Sequence, residues 1–181
     1  MSFLEYYYEN IVKYDLLNKF QYKNINQIPK FKKVILNFGC KKSDLKSLVS
    51  SLMALELITS QKATFTHSSI SDVSLKIKKG NPVGCKITLR KTLMYVFFTR
   101  LVSEIFPKLK QFNGFKIKNI NSEIKTISFK FKSSLIFSEL ENQYQYFNKL
   151  PGLNVTVVTN VTKYDEFNFL LKSFKFPMIS C

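Results

Sequence analysis

The sequence holds one histidine, three cysteines and no tryptophan in 181 residues, and each shortage removes a class of chemistry. His67 opens a Ser-rich stretch with no cysteine nearby. The serines beside it lack the strand-turn-helix setting of a nucleophile elbow, so no catalytic triad is expected. Acidic residues are scattered from Asp15 to Glu166, and neither paired carboxylates nor an oxygen-ligand metal cluster stands out. The chain therefore reads as non-enzymatic, with no cofactor and no metal. Cys40, Cys85 and Cys181 are odd in number and far apart, which fits neither a disulfide framework nor a zinc knuckle; plain thiols in a reducing compartment are expected. Glycine is scarce, and Gly80-Asn81-Pro82-Val83-Gly84 lacks phosphate-loop spacing and runs into a strand pattern, so it reads either as a plain hairpin turn or as one that also lies against RNA backbone. Apolar runs such as Tyr95 to Phe98 fall far short of the roughly 20 residues that span a bilayer. The N-terminus has neither a secretory nor a transit-peptide pattern, so the chain is expected to work in the compartment where it is made.

What is present is positive charge and apolar surface. The 28 Lys+Arg residues against 12 Asp+Glu give a formal charge of +16. Such an excess speaks of partners rather than fold, because each phosphate neutralised by a polycation releases condensed counterions. A hydrophobic fraction of 45% with 15% aromatics is enough to offset the ordering entropy of one ordinary domain. The bias toward Lys, Asn, Ile, Phe and Tyr suggests AT-rich codons, as in an organellar or AT-rich bacterial genome.

Periodicity outlines an α+β chain. Leu4, Tyr7, Tyr8, Ile11, Val12 and Leu16 recur at helical spacing, and a second helix over 45–57 is marked by Leu45, Leu48, Val49, Leu52 and Leu55. A strand is expected over 33–38, another over 59–66, and a loop over 67–74. Gly84 to Leu89 alternates, with Lys86, Thr88 and Arg90 on one face and Cys85, Ile87 and Leu89 on the other. A third helix over 91–106 buries Leu93, Met94, Phe97, Phe98, Leu101 and Ile105 and stops at Pro107. Residues 124–132 form a strand with an exposed lysine row, 140–150 a connector, 153–159 a strand, and 165–174 a last helix. Helices on one face of a sheet follow from this order. Lys76, Lys78, Lys79, Lys86 and Arg90 bracket the glycine turn, and Lys30, Lys32 and Lys33 lead into the first strand. Rows of this kind, opposite apolar faces, suit the phosphates and 2′-hydroxyls of RNA. Phe65, Phe129 and Phe131 could stack bases, although phenylalanines in strands usually serve the core.

Longer segments then carry a resemblance. Ile28 to Gly39 (IPKFKKVILNFG) resembles the P-(basic)-x-x-K-(apolar)-x-L-N-M-G segment of the L-five family of large-subunit ribosomal proteins. Ser60-Gln61-Lys62-Ala63 looks like its G-Q-K-P, and Leu75 to Arg90 (LKIKKGNPVGCKITLR) like its F-K-I-R-x-G-x-P-I-G-C-K-V-T-L-R. Phe137 to Leu140 is similar to F-P-E-I, and Pro151 to Thr159, Asp165-Glu166 and Phe176-Pro177 to the family's ending.

The resemblance implies a single RNA-binding domain over 1–181 with a mobile loop at about 67–84, built as a curved antiparallel sheet with helices on one face. It implies a structural constituent of the large subunit that binds 5S rRNA in the central protuberance. Expected partners are 5S and large-subunit rRNA, peptidyl-site tRNA, the small-subunit protein S-thirteen and neighbouring large-subunit proteins. Carried onto matching positions, Lys33, Asn37, Gln61, Lys62, Lys86, Thr88 and Arg90 would face RNA, and Lys76, Lys78, Lys79 and Gly80 would form the tRNA-facing loop. Two segments depart from the pattern: His67 to Asp72 replaces a basic run, and Asn119 to Glu123 replaces a glycine-rich turn. With the AT-rich composition, these departures point to a mitochondrial ribosome and an organellar gene; the alternatives are a plastid or a bacterial cytoplasm. A rival reading is a basic protein-interaction component of a ribosome that lacks 5S rRNA.

Overall fold

Alternation of apolar and polar side chains builds the sheet. In β5 (Leu153–Thr159), Leu153, Val155, Val157 and Thr159 are buried while the residues between them are half-buried. In β1 (Phe31–Gly39), Val34, Leu36 and Phe38 are buried and Lys33, Ile35 and Asn37 half-buried. With β2 (Thr64–His67), β3 (Pro82–Leu89) and β4 (Thr126–Phe131), these strands form one antiparallel sheet in the order β2-β3-β1-β5-β4. This computed structural model describes residues 2–40, 44–109, 114, 126–161 and 163–178. Their contacts gather into two compact units, one of Met1–Val34, Arg90–Ile127 and Val157–Cys181, the other of Ile35–Leu89 and Ser128–Thr156.

Aromatic packing organises the first unit. The N-terminal helix starts at a capping box, in which Ser2 and Glu5 exchange side-chain and backbone hydrogen bonds. It runs as α1 (Phe3–Tyr7), a π-wound turn (Tyr8–Val12) and α2 (Lys13–Lys19). Tyr8, Val12 and Leu16 are buried, but Ile11 faces out. Phe31 meets Phe98 and Phe174 at ring-centroid distances of 4.8 and 4.9 Å. The Tyr8 hydroxyl donates to the Pro29 carbonyl at 2.9 Å. Asn160 holds the connector before β1, accepting from Lys30 N at 2.6 Å and donating to Ile28 O at 2.9 Å.

The third helix differs from its expected form. It continues past 106 as α4 (Lys91–Arg100), a π-wound turn (Leu101–Ile105) and α5 (Phe106–Lys108). Pro107 does not stop it, because the π-wound turn resets the hydrogen bonding and Pro107 falls on a first-turn position where no N–H is required. Leu93 is exposed and Tyr95 is buried in its stead. The last helix, α8 (Tyr164–Ser173), turns Phe167, Leu170 and Leu171 inward.

In the second unit, α3 (Leu45–Thr59) packs against β3, with the Cys85 Sγ 3.5 Å from Leu48 O. The strand expected over 59–66 is shorter, since Thr59 is the last residue of α3. Its hydroxyl donates to Leu55 O at 2.7 Å, and Ser60 adopts a left-handed conformation (φ 53°) that ends the helix. The Glu56 carboxylate then accepts from Ala63 N at 2.9 Å, fixing the reversal into β2. The connector over 140–150 carries two short helices, α6 (Ser138–Glu141) and α7 (Tyr144–Phe147).

β4 exposes Lys130 together with Thr126 and Ser128, and Lys132, just past the strand, is exposed as well. Lys125 lies outside the described residues, as does the shortened turn Asn119 to Glu123. Gly80, with φ 88°, is a turn residue. Gly84 is not: it sits inside β3, where a Cβ would press on the Phe38 carbonyl oxygen and lie 2.9 Å from Thr66 Oγ1.

Candidate nucleic-acid interface

The sheet has two unlike sides. Cys85 and Ile87 of β3 are buried toward α3, so Lys86 and Thr88, which alternate with them, face away from the helix. The β2–β3 register sets Thr64 opposite Lys86 and Thr66 opposite Gly84, putting both threonines on that same open side. Asn37 alternates with the buried Leu36 and Phe38. On the far strands the Ser128 and Thr156 hydroxyls lie 3.0 Å apart, sharing a face with Asn154 and Lys130. Among the described residues no Asp or Glu falls in any strand. The described strand residues on this side therefore offer hydroxyls, amides and ammonium groups and no carboxylate to repel phosphate.

Most of the expected contact residues meet here. Gln61, half-buried between α3 and β2, donates through Nε2 to Thr88 O at 3.4 Å, and Thr64 Oγ1 donates to Lys86 O at 3.2 Å. These bonds tie the residues after α3 to β3 and fix where the exposed Lys62 and Lys86 emerge. Lys33 and Arg90 belong to the first unit. Lys33 is half-buried near the start of β1, and Arg90 is exposed directly after β3. Thr64, Thr66, Ser128, Asn154 and Thr156 are absent from the expected contact residues; the signal for them is the same period-two alternation. Phe65 pairs in register with Cys85, hence on the helix side, and Phe131 is buried. Neither ring lies on the open side.

Between β2 and β3 the chain forms an arm. Its base is closed by Ser68 N to Asn81 O and Gly80 N to Ser68 O, both 2.9 Å, and by the His67 Nδ1 contact to Gly80 O at 3.1 Å. Asp72 and Ile77 exchange backbone hydrogen bonds of 2.9 and 3.0 Å further out. The Asp72 carboxylate accepts from Ser74 Oγ at 2.6 Å and Ser74 N at 2.8 Å, which holds its pKa below the ordinary value. Lys76, Lys78, Lys79 and Gly80 are all exposed, and Lys76 has a φ of 55°. The outer part is apolar, with Ile70 75% and Val73 93% exposed.

Among the described residues no group of three or more His, Cys, Asp or Glu could hold a metal ion, and the Cys85 thiol, pushed up to about 11 chiefly by burial, is a poor nucleophile. A basic α+β chain whose described strands carry no carboxylate has the features of the class of structural nucleic-acid-associated proteins. Comparison with known proteins narrows that class. The family model for the C-terminus of the ribosomal L5 proteins matches residues 82–178. The large ribosomal subunit protein uL5m of Reclinomonas americana is 37% identical over 180 residues, 98% of each chain. The uL5 proteins of Blochmanniella floridana, at 35% over 98% of this chain and 93% of that one, and Nitrosomonas europaea, at 36% over 96% of each, are similar. The chain belongs to the L5 family of large-subunit ribosomal proteins, of bacterial and organellar type, and is a structural, non-enzymatic constituent of the large ribosomal subunit. Its partners accordingly include rRNA and other ribosomal proteins.

Proposed function

We propose that this chain binds 5S rRNA in the central protuberance of a mitochondrial large subunit, using the open side of its sheet. Lys33, Asn37, Gln61, Lys62, Lys86, Thr88 and Arg90 contact the RNA. The arm carrying Lys76, Lys78, Lys79 and Gly80 reaches toward peptidyl-site tRNA, and the chain meets protein S-thirteen of the small subunit. The whole of 1–181 acts as one RNA-binding domain in which the loop at 67–84 is the mobile part. The observation that carries this reading is the sheet side, free of carboxylates among its described strand residues, on which Thr64 pairs in register with Lys86 and Gln61 bonds to Thr88 O. The mitochondrial setting is supported by the uL5m of Reclinomonas americana and by the AT-rich composition.

Two substitutions test it. Lys86→Ala and Arg90→Ala should each weaken binding to a 5S-like RNA by about 1 kcal/mol or more and lower the dependence of affinity on salt by about one unit of slope. Unchanged affinity and slope in both variants would overturn the assignment. The exposed Ile70 and Val73 favour a second reading at the arm alone, a protein contact in a particle without 5S rRNA. Under that reading a partner protein displaces the chain from the particle and RNA does not.

A further inference from the structure

α3 buries one face and leaves the opposite face apolar. Leu48, Ser51, Leu55 and Ile58 are turned inward. Leu45, Val49, Met53 and Leu57, at every fourth position, are 72, 49, 55 and 40% exposed. At 1.5 Å per residue the stripe runs roughly 18 Å, a little over three helical turns. α7 walls one side of it, and Tyr146, itself 73% exposed, joins the stripe in a groove of about 900 Å³. The fold makes no use of this surface, and a contiguous apolar patch of this kind marks an interaction site.

The surroundings select the occupant. RNA has little to hold it, because the lining is chiefly apolar and, among the described residues, sets one cation, Lys46, beside Ser50, Gln143 and Gln145, a single ammonium for a phosphate backbone. A second copy would bring another +16 of charge against the first. The acidic member of the groove, Glu56, is half-buried, accepts from Ala63 N at 2.9 Å, and stands ten residues along α3 from the exposed Lys46, about 15 Å away, so an occupant meets a cation at the Lys46 end. We propose that this groove seats an amphipathic helix of a neighbouring large-subunit protein, with apolar residues at helical spacing along the stripe and a carboxylate at its rim facing Lys46. α3 packs on the Cys85 side of β3 while Lys86 faces the other way, so helix and RNA can be held together. The proposal rests on membership of the large subunit and not on the RNA-face assignment.

The test uses intact large subunits containing the full chain with a benzophenone side chain in place of Met53, and a second preparation with it in place of Lys86. The position-53 probe should crosslink to a ribosomal protein at a peptide with apolar residues three and four apart and flanking Asp or Glu. Crosslinks from position 53 to RNA, or to a second copy of this chain, would overturn the proposal. So would an absence of crosslinks from position 53 in the face of crosslinks from position 86. Protein in place of RNA at position 86 would remove the RNA-face reading and leave the groove standing. Independently, the pair Val49→Asp with Met53→Asp should lower incorporation against the natural chain by about tenfold or more. The thermal midpoint and RNA affinity of the free chain should not change. Undiminished incorporation would overturn the proposal whatever the crosslinking outcome.

Discussion

A glycine inside a strand weakens it unless something needs the space, and at Gly84 two neighbours do. Any Cβ there would collide with the Phe38 carbonyl oxygen of β1 and crowd Thr66 Oγ1 of β2, and a backbone carbonyl in a paired sheet has little room to yield. Gly84→Ala should destabilise the chain by about 1–3 kcal/mol, the usual cost of overpacking, read as a fall in the urea midpoint with an unchanged m-value. A neutral result would mean that β3 stands further from β1 than this contact requires. The same position shows why residue roles are only partly legible in a sequence. Gly84 looked like the end of a turn because it follows Gly80 and Pro82 closely, and what it must avoid comes from strands remote in sequence. Leu45 and Val49 are the converse case. Their spacing marks a helix, but only the placement of the layer beneath shows that they face out.

At the scale of elements, the strands with strong alternation and the last helix could be read directly, because local periodicity and burial agree in them. Errors gathered where tertiary hydrogen bonds set the boundary, as at Thr59, whose β-branched side chain suggests a strand while its hydroxyl closes a helical turn on Leu55. In the arm, expected as a loop over 67–74, backbone hydrogen bonds close the base and the Asp72–Ile77 step, and one side chain fixes the turn beyond them. Asp72 binds Ser74 N, Ser74 Oγ and Leu75 N, and these bonds favour the ionised carboxylate. A carboxyl group whose folded pKa is depressed contributes order that is fully present above its unfolded pKa and is lost as pH falls through the folded value. Protection of the Ser74 and Leu75 amides in the free chain should therefore persist at neutral pH and disappear only on acidification below the ordinary carboxylate range. Asp72→Asn should remove that pH dependence. Equal exchange rates in the variant and natural chains across the titration would show that the arm is held by its backbone ladder alone.

For the molecule as a whole, the question is what a formal +16 does for a chain of 181 residues. Within the free chain the charges repel one another, so the folded state bears a cost that the expanded chain largely escapes. Bound to RNA, the same lysines release counterions, and affinity is then highest where salt is lowest. Salt should thus move the two properties in opposite directions. Between about 0.05 and 0.5 M monovalent salt, where the screening length shrinks from about 14 Å to about 4 Å, the thermal midpoint of the free chain should rise by a few degrees. Over the same range its affinity for RNA should fall by orders of magnitude. A midpoint that fell together with the affinity would mean that attractive charge pairs hold the fold. The carboxylate-free strands argue against that outcome, because the sheet gives its lysines no acidic partners within their own strands. The basic excess is then a property suited to the assembled particle, tolerated by a fold whose stability comes from the Phe31, Phe98 and Phe174 cluster in one unit and the α3–β3 packing in the other.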